Sequence, residues 1–230
     1  MSQRLVVDDK NQLQEWREQN TSQYPAIIEI TAKVISYIFH PLFLPVYVTW
    51  FLVRLQPYLF AGINEWGKGI TIIQSILMYT FFPLVTVLLL KALKFIDSIY
   101  LETQKDRIIP LVVCGIWYFW AWYVKYNLPD TPPVLLYFSL AIFIAGSIGL
   151  IANIYMKVSM HSIAIGIMCT FFALLAFTQS ISFGFYISAA FLIGGLVCTA
   201  RFIVSDHTQK EIYVGLMIGI ISQLIAFKIG

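Results

Sequence analysis

Charge is scarce in this sequence of 230 residues, because Asp, Glu, Lys and Arg together make up 12% of it while hydrophobic residues make up 59%. About a quarter of the residues in a soluble domain are charged, so the composition excludes an ordinary soluble protein. The basic residues flank apolar runs and form no patch, so the net charge of +3 does not indicate a nucleic-acid partner. Membrane lipids with anionic headgroups are the partners that this distribution favours.

Cysteine is scarce as well. The three cysteines, Cys114, Cys169 and Cys198, all lie in apolar stretches, and the sequence contains no CxxC pair. Burial in an apolar interior explains such isolated thiols better than redox chemistry or metal binding. The sequence therefore predicts no metal site and no cofactor.

Long apolar runs separated by short polar segments dominate the rest of the chain, and their lengths are near the ~20 residues that a bilayer core requires. They predict an all-α, polytopic transmembrane helical bundle with six or seven spans. Residues 1–33 are predicted to form a soluble N-terminal arm with an amphipathic helix around Leu13–Gln19, and residues 34–230 the transmembrane domain. The predicted spans cover residues 34–55, 69–93, 108–126, 133–156, 162–177, a sixth ending near 198, and 212–227.

The first predicted span contains His40 followed by Pro41. Two interpretations are open: a kink beside a functional site, or an ordinary proline-bent helix near the membrane interface. The second is favoured on the sequence alone. Between the second and third spans, the charged residues 97–107 predict a loop.

The segment 199–211 places Arg, Asp, His, Lys and Glu between two long apolar runs. Ionisable groups beside a bilayer are costly, so such a cluster predicts a functional site. If the segment is helical, His207 and Glu211 lie four residues apart on one face. A carboxylate there would accept a ring N–H and leave the other ring nitrogen free to react. Arg201 is far enough from His207 to approach the same anion from another direction.

Two further polar patches are predicted to lie on the same side of the membrane. Two spans separate Lys105–Arg107 from Ser159–His161, and two more separate His161 from Arg201–Glu211. An even number of crossings returns the chain to the same face, so all three patches can converge. Several cations with two histidines match a phosphate, whose charge is best held by Arg and positioned N–H groups.

The three patches resemble the motifs of the type 2 phosphatidic acid phosphatase (PAP2) superfamily, K-x6-R-P, P-S-G-H and S-R-x5-H-x3-D. The third motif is matched by Arg201, then five residues, His207, three residues and Glu211. The second survives as V-S-M-H, which keeps Ser159 and His161. The resemblance covers roughly half of the chain.

The first motif is matched loosely, and the other two depart from the family in places. Arg107 is present, but Tyr100 stands where the motif has Lys, and Lys105 is the candidate substitute. Ala200 replaces a serine that would contact phosphate, and Met160 replaces a glycine whose backbone can approach the anion. These departures put activity or selectivity in question.

The resemblance implies a fold with a PAP2-like core and a role for each motif residue. His207 would be the nucleophile that forms a phosphohistidine, Glu211 would orient it, and His161 would act as general acid and then as base. The phosphate oxygens would be held by the remaining residues, Arg201, Arg107, Lys105 and Ser159. The implied reaction is hydrolysis of a membrane lipid phosphate or of a polyprenyl diphosphate, with no metal ion.

Simpler alternatives stay open for each residue. Lys105, Arg107 and Lys157 could be interfacial flanks that reach toward headgroups, and His207 with Glu211 could be a surface pair. Two other functions are also open: a lipid phosphotransferase using the same site, and a transporter or scaffold on a decayed PAP2 framework.

The resemblance to bacterial family members implies an integral protein of the bacterial inner membrane with an extracytoplasmic site. The distribution of Lys and Arg favours a cytoplasmic site instead, and the sequence leaves both orientations open.

Overall fold

The structure, a computed structural model, describes residues 5–7, 13–15, 24–96, 98, 104–178, 183–204 and 207–230. At residues 5–7, 13–15 and 105 the description covers the backbone only. Leu5–Val7 (β1) and Leu13–Glu15 (β2) pair antiparallel as a short hairpin. The predicted amphipathic helix around Leu13–Gln19 is therefore wrong at its start, because β2 occupies residues 13–15, and residues 16–19 lie outside the described part.

The first predicted span is broken into two helices, α1 at Ala26–Ile38 and α2 at Leu44–Leu55. The break contains His40 and Pro41. Proline disfavours the helical conformation of the residue before it, which explains why α1 ends here. At 1.5 Å per residue, helices of 13 and 12 residues are about 20 Å and 18 Å long, so neither alone spans a ~30 Å bilayer core.

In the described part of the chain, seven further α-helices follow a short 3₁₀ turn at Pro57–Phe60. A π-helical turn at Leu77–Phe81 joins the first two of them into one continuous rod. Pro83, in the first turn after it, has no N–H to give to the preceding turn. The seven helices are α3 Glu65–Ile76, α4 Phe82–Ala92, α5 Gln104–Asn127, α6 Pro133–Tyr155, α7 Met160–Thr178, α8 Gly184–Val204 and α9 Gln209–Ile229.

Six helical segments in the described part are long and apolar enough to cross a membrane. The prediction of an all-α polytopic bundle is confirmed, and the chain is an integral membrane protein. Several boundaries differ from the prediction, and the sixth span ends at Val204 instead of near residue 198. Residues 104–107 belong to α5 and not to a loop. The fifth and seventh spans are longer than predicted, since α7 and α9 each extend to residues that flank the apolar runs.

Helix α9 packs closely on α7 through glycine. A Cβ atom added at Gly219 would overlap the carbonyl oxygen of Ile163, and one added at Gly166 would overlap that of Leu216. Near the start of both helices, a Cβ at Gly215 would lie 2.8 Å from the carbonyl oxygen of Ser159. Small residues allow such close helix contact in membranes, and here they bring the first turns of α7 and α9 together.

Candidate active site

A cavity of about 760 Å³ lies among α1, α2 and the helices α4 to α8. This volume is within the range of small-molecule binding sites. Basic and imidazole side chains from separate elements line it, whereas no Asp or Glu of the described residues does. These side chains are Lys33, His40, Arg107, Lys157, His161, Arg201 and His207. The three histidines of the sequence are thus all on this cavity.

The rest of the cavity is apolar. Its walls include side chains from the middle of the bundle, on α2, α5, α6 and α7. Examples are Val48, Leu111, Phe138, Ile142, Ile167 and Met168. The cavity is therefore amphipathic, with basic groups from the helix ends and hydrocarbon from the helix interiors.

His207 is held by the first turn of α9. The residue lies in the connection between α8 and α9, is only 9% exposed, and its Nδ1 lies 3.2 Å from Oε2 of Glu211. A carboxylate accepts, so Nδ1 carries the ring hydrogen and Nε2 is left with its lone pair. The pair does not lie on one continuous helix, because α8 ends at Val204 and α9 begins at Gln209.

A capping box fixes the geometry of this pair. Thr208 is the N-cap of α9, and its Oγ1 accepts from the backbone N–H of Glu211 at 3.3 Å. Oε2 of Glu211 in turn accepts from the backbone N–H of Thr208 at 2.9 Å. The reciprocal bonds satisfy two donors at the helix start and hold the carboxylate beside His207.

Burial lowers the pKa of His207 below its ordinary value of 6.5, and the nearby cations Arg107 and Arg201 lower it further. The hydrogen bond and the charge of Glu211 act in the opposite direction but do not cancel the effect. His207 is consequently neutral at pH 7, which is the state in which Nε2 can attack an electrophile.

His161 is the second residue of α7 and contacts the N-terminal part of the chain. Its Nε2 lies 3.1 Å from the backbone carbonyl oxygen of Ser36 in α1. A carbonyl oxygen only accepts, so Nε2 carries the hydrogen and Nδ1 is the nitrogen available for proton exchange.

The two arginines come from different helix ends. Arg107, in the first turn of α5, donates from Nη1 to the carbonyl oxygen of Val158 at 3.0 Å. A second bond, from Nδ2 of Asn153 to the carbonyl oxygen of Gln104 at 2.9 Å, also ties the start of α5 to the end of α6. Arg201 lies in the last turn of α8. The helix ends thereby bring both guanidinium groups to the cavity.

Four of the predicted site residues, Arg107, His161, Arg201 and His207, line the cavity, whereas Glu211 and Ser159 do not. Glu211 lies behind His207 and is not part of the wall. Ser159 is fully buried away from the wall, and its Oγ accepts from the backbone N–H of Ser162 at 3.4 Å, at the start of α7. The contact of Ser159 with phosphate stays a prediction. The side chain of Lys105 lies outside the described part of the chain.

Sequence reasoning missed two features of the site. Thr208 could have been found, because Thr-x-x-Glu at residues 208–211 is the signature of a capping box. His40 carried only a weak signal, its position before Pro41, and the interpretation as an ordinary bend was favoured. The structure instead places His40 on the cavity wall beside His161.

The arrangement can bind an anion and provides a neutral imidazole with a free Nε2, beside a second imidazole with a free Nδ1. Among the described residues, no group of three or more His, Cys, Asp or Glu is placed to hold a metal ion. No protein-family model, curated protein or solved structure matches the chain.

Proposed function

We propose that this protein is an integral-membrane phosphatase of the PAP2 type that hydrolyses a lipid phosphate or diphosphate through a phosphohistidine. The observation that carries the proposal is the His207–Glu211 pair on a cavity that also holds His161 and several cations. The order of these residues along the chain follows the PAP2 motifs, and the cavity brings four of them together.

Substrate binding would use the charges of the cavity. Arg107 and Arg201 carry planar guanidinium groups that can hold phosphate oxygens, and Lys157 adds a further positive charge at the wall. Charge that moves onto the phosphoryl oxygens in the transition state is stabilised by the same groups.

In the first step, the lone pair on Nε2 of His207 attacks phosphorus and the bond from phosphorus to the lipid oxygen breaks. Glu211 accepts the hydrogen bond from Nδ1 and stabilises the positive charge on the phosphorylated ring. The departing oxygen takes a proton from Nδ1 of the imidazolium form of His161, which keeps the hydrogen on Nε2.

In the second step, water attacks the phosphohistidine and the P–N bond breaks, so His207 regains the lone pair on Nε2. The attacking water gives its proton to Nδ1 of His161. Phosphate leaves and His161 is again protonated, which completes the cycle without a net gain or loss of protons on the enzyme.

The apolar part of the cavity supports a lipid as the substrate. A phosphate among the basic groups would place the first part of its acyl or prenyl tail against side chains such as Ile142, Ile167 and Met168. A soluble phosphate ester would leave this surface uncovered. We propose in addition that this lipid phosphatase lies in a bacterial inner membrane.

A decayed site that binds but does not hydrolyse is the second candidate. It is favoured by the burial of Ser159 away from the cavity and by Ala200, which is buried and lacks the hydroxyl of the motif. The buried Ser159 and the replacement by Ala200 would each leave the site without a phosphate contact that the family motifs provide. Such a protein would bind lipid phosphates without releasing phosphate.

A panel of lipid phosphates and diphosphates, offered to detergent-purified protein with EDTA present, separates these possibilities. Phosphate release by the parent protein, lowered at least about 1,000-fold in His207→Ala and about 100-fold or more in His161→Ala, is the expected result. Lys210→Ala is a matched control, because Lys210 is exposed in the first turn of α9 and does not line the cavity. Phosphate transferred to an added alcohol would indicate a phosphotransferase, and binding without release the decayed site.

A further inference from the structure

His40 belongs to none of the motifs and has no part in the two steps above, yet it lies on the cavity wall. The centroids of its ring and the ring of His161 are 5.2 Å apart, and the two planes meet at 85°. This edge-to-face arrangement is the favourable geometry for neighbouring aromatic rings. The contact joins residues that are 121 positions apart in the sequence.

The same part of the chain makes a second contact with His161. Nε2 of His161 lies 3.1 Å from the carbonyl oxygen of Ser36, which is only four residues before His40. The two contacts hold the imidazole in different ways. The carbonyl determines which nitrogen carries hydrogen, and the ring of His40 determines how the plane of His161 is turned.

His40 is itself fixed in place. Its Nδ1 accepts from the backbone N–H of Leu42 at 3.3 Å, inside the bend between α1 and α2. The ring of Phe43 packs against it with centroids 6.0 Å apart. Burial, with the charge of Arg201, lowers the pKa of His40 to about 4, so the ring is neutral at pH 7. A neutral ring does not repel the cationic form through which His161 must pass.

We propose that the Ser36 carbonyl and the His40 ring form a clamp that positions His161, so that Nδ1 is the atom that exchanges protons at the cavity. His40 is in this account a positioning residue, and its effect on turnover rests on the proposed phosphatase function. The tautomer and orientation of His161 do not rest on it, because they are properties of the protein without substrate.

Histidine-selective ¹⁵N NMR of the full chain in lipid nanodiscs tests the clamp directly. The sequence has three histidines, so three imidazoles contribute signals, and single substitutions assign them. At a pH where His161 is neutral, we expect the tautomer with hydrogen on Nε2. Hydrogen on Nδ1 in the parent protein would overturn the proposal, whatever the variants do.

Variants at residue 40 test the role of the ring. We expect His40→Ala to give His161 signals that average between tautomers, because the unsupported ring can turn away from the Ser36 carbonyl that holds the hydrogen on Nε2. We expect His40→Phe to retain the single tautomer, because an aromatic ring still supports the plane of His161. Ser36→Ala is a matched control for the spectrum, since it keeps the backbone carbonyl that binds Nε2. An unchanged His161 signal in a folded His40→Ala protein, or an equal loss of the tautomer in His40→Phe, would refute the clamp.

Kinetics then connect the clamp to the chemistry. His40→Ala should lower kcat about 10-fold to 100-fold with little change in KM, because misplaced proton transfer slows both steps while the cations still bind phosphate. His40→Phe should recover most of the lost kcat.

Thr31→Val is the control on α1, where the exposed Thr31 side chain donates to the carbonyl oxygen of Ile27 in the same helix. A change in KM alone would contradict a positioning role. A parent protein that shows the expected tautomer but releases no phosphate would count against the proposed function and leave the clamp standing.

Discussion

Oε2 of Glu211 lies 3.2 Å from Nδ1 of His207 and 2.9 Å from the backbone nitrogen of Thr208. One carboxylate oxygen thus serves both the start of α9 and the imidazole in the connection before it. The PAP2 motif that this segment resembles has Asp in place of Glu211. Orientation of His207 and formation of the first turn of α9 are therefore coupled.

This coupling predicts the effects of two substitutions at residue 211. Glu211→Gln should lower kcat about 100-fold or more, because an uncharged amide does not stabilise the cationic ring and need not select the same tautomer. Glu211→Asp keeps the negative charge, so its kcat should fall less than that of Glu211→Gln. Comparing initial rates of phosphate release from the two purified variants checks the order. Equal losses would show that the charge of residue 211 is unimportant for turnover.

The pKa of His207 gives a second prediction that needs no substrate. NMR titration should place it below 6.5, because burial and the charges of Arg107 and Arg201 disfavour the imidazolium. Glu211→Gln should lower it further and Arg107→Gln should raise it. Since the folded-state value is the lower one, the contribution of His207 to stability is present above pH 6.5 and is lost as the pH falls through the folded-state pKa. A pKa above 6.5 in the parent protein would contradict this electrostatic account.

Arg107 connects the start of α5 to the segment before α7 while lining the cavity. We expect Arg107→Ala to raise KM and lower kcat, with a combined loss in kcat/KM of about 100-fold, and Arg107→Lys to recover only part because Lys lacks the planar fork. Arg54→Ala is the matched control. Arg54 pairs with Glu65 at 3.2 Å on an exposed surface and does not line the cavity. Similar kcat/KM values for the Arg107→Ala and Arg54→Ala proteins would show that Arg107 does not bind the substrate.

The apolar part of the cavity predicts selectivity for the lipid tail. Ala164, on the wall in α7, can be enlarged to Leu to fill part of the space. This change should raise KM for long-chain lipid phosphates while sparing a water-soluble short-chain analogue. Ala92→Leu, at an exposed position in α4 outside the wall, serves as the control. Equal effects on long and short substrates would show that the tail does not occupy the cavity.

Much of the fold could be predicted from the sequence, because membrane-spanning helices can be recognised by the length and hydrophobicity of their segments. Counting crossings was enough to predict that Arg107, His161, Arg201 and His207 lie on one side of the membrane, because parity depends only on the number of spans between them. The break of the first span was harder to place. Pro41 indicates a bend, but the sequence does not say whether the bend contacts lipid or protein.

The details of the site depended on contacts that no spacing encodes. Ser159 has the residue type and order of a phosphate ligand, but its hydroxyl is turned to the start of α7 and is fully buried. Conversely, His40 and the carbonyl of Ser36 reach His161 through the packing of α1 against α8 and of α2 in the bundle. Local patterns such as Thr-x-x-Glu at residues 208–211 could be recognised, whereas contacts over more than 100 residues could not.

Trapping a phosphohistidine at residue 207 would test the proposed mechanism most directly. The protein would be mixed with a ³²P-labelled lipid phosphate, quenched in alkali, in which phosphohistidine survives, and digested for mass spectrometry. The account predicts phosphate on His207, more of it in His161→Ala if the second step is slowed most, and none in His207→Ala. Phosphate release by the parent protein with no phosphate on His207, or with the label on another residue, would contradict it.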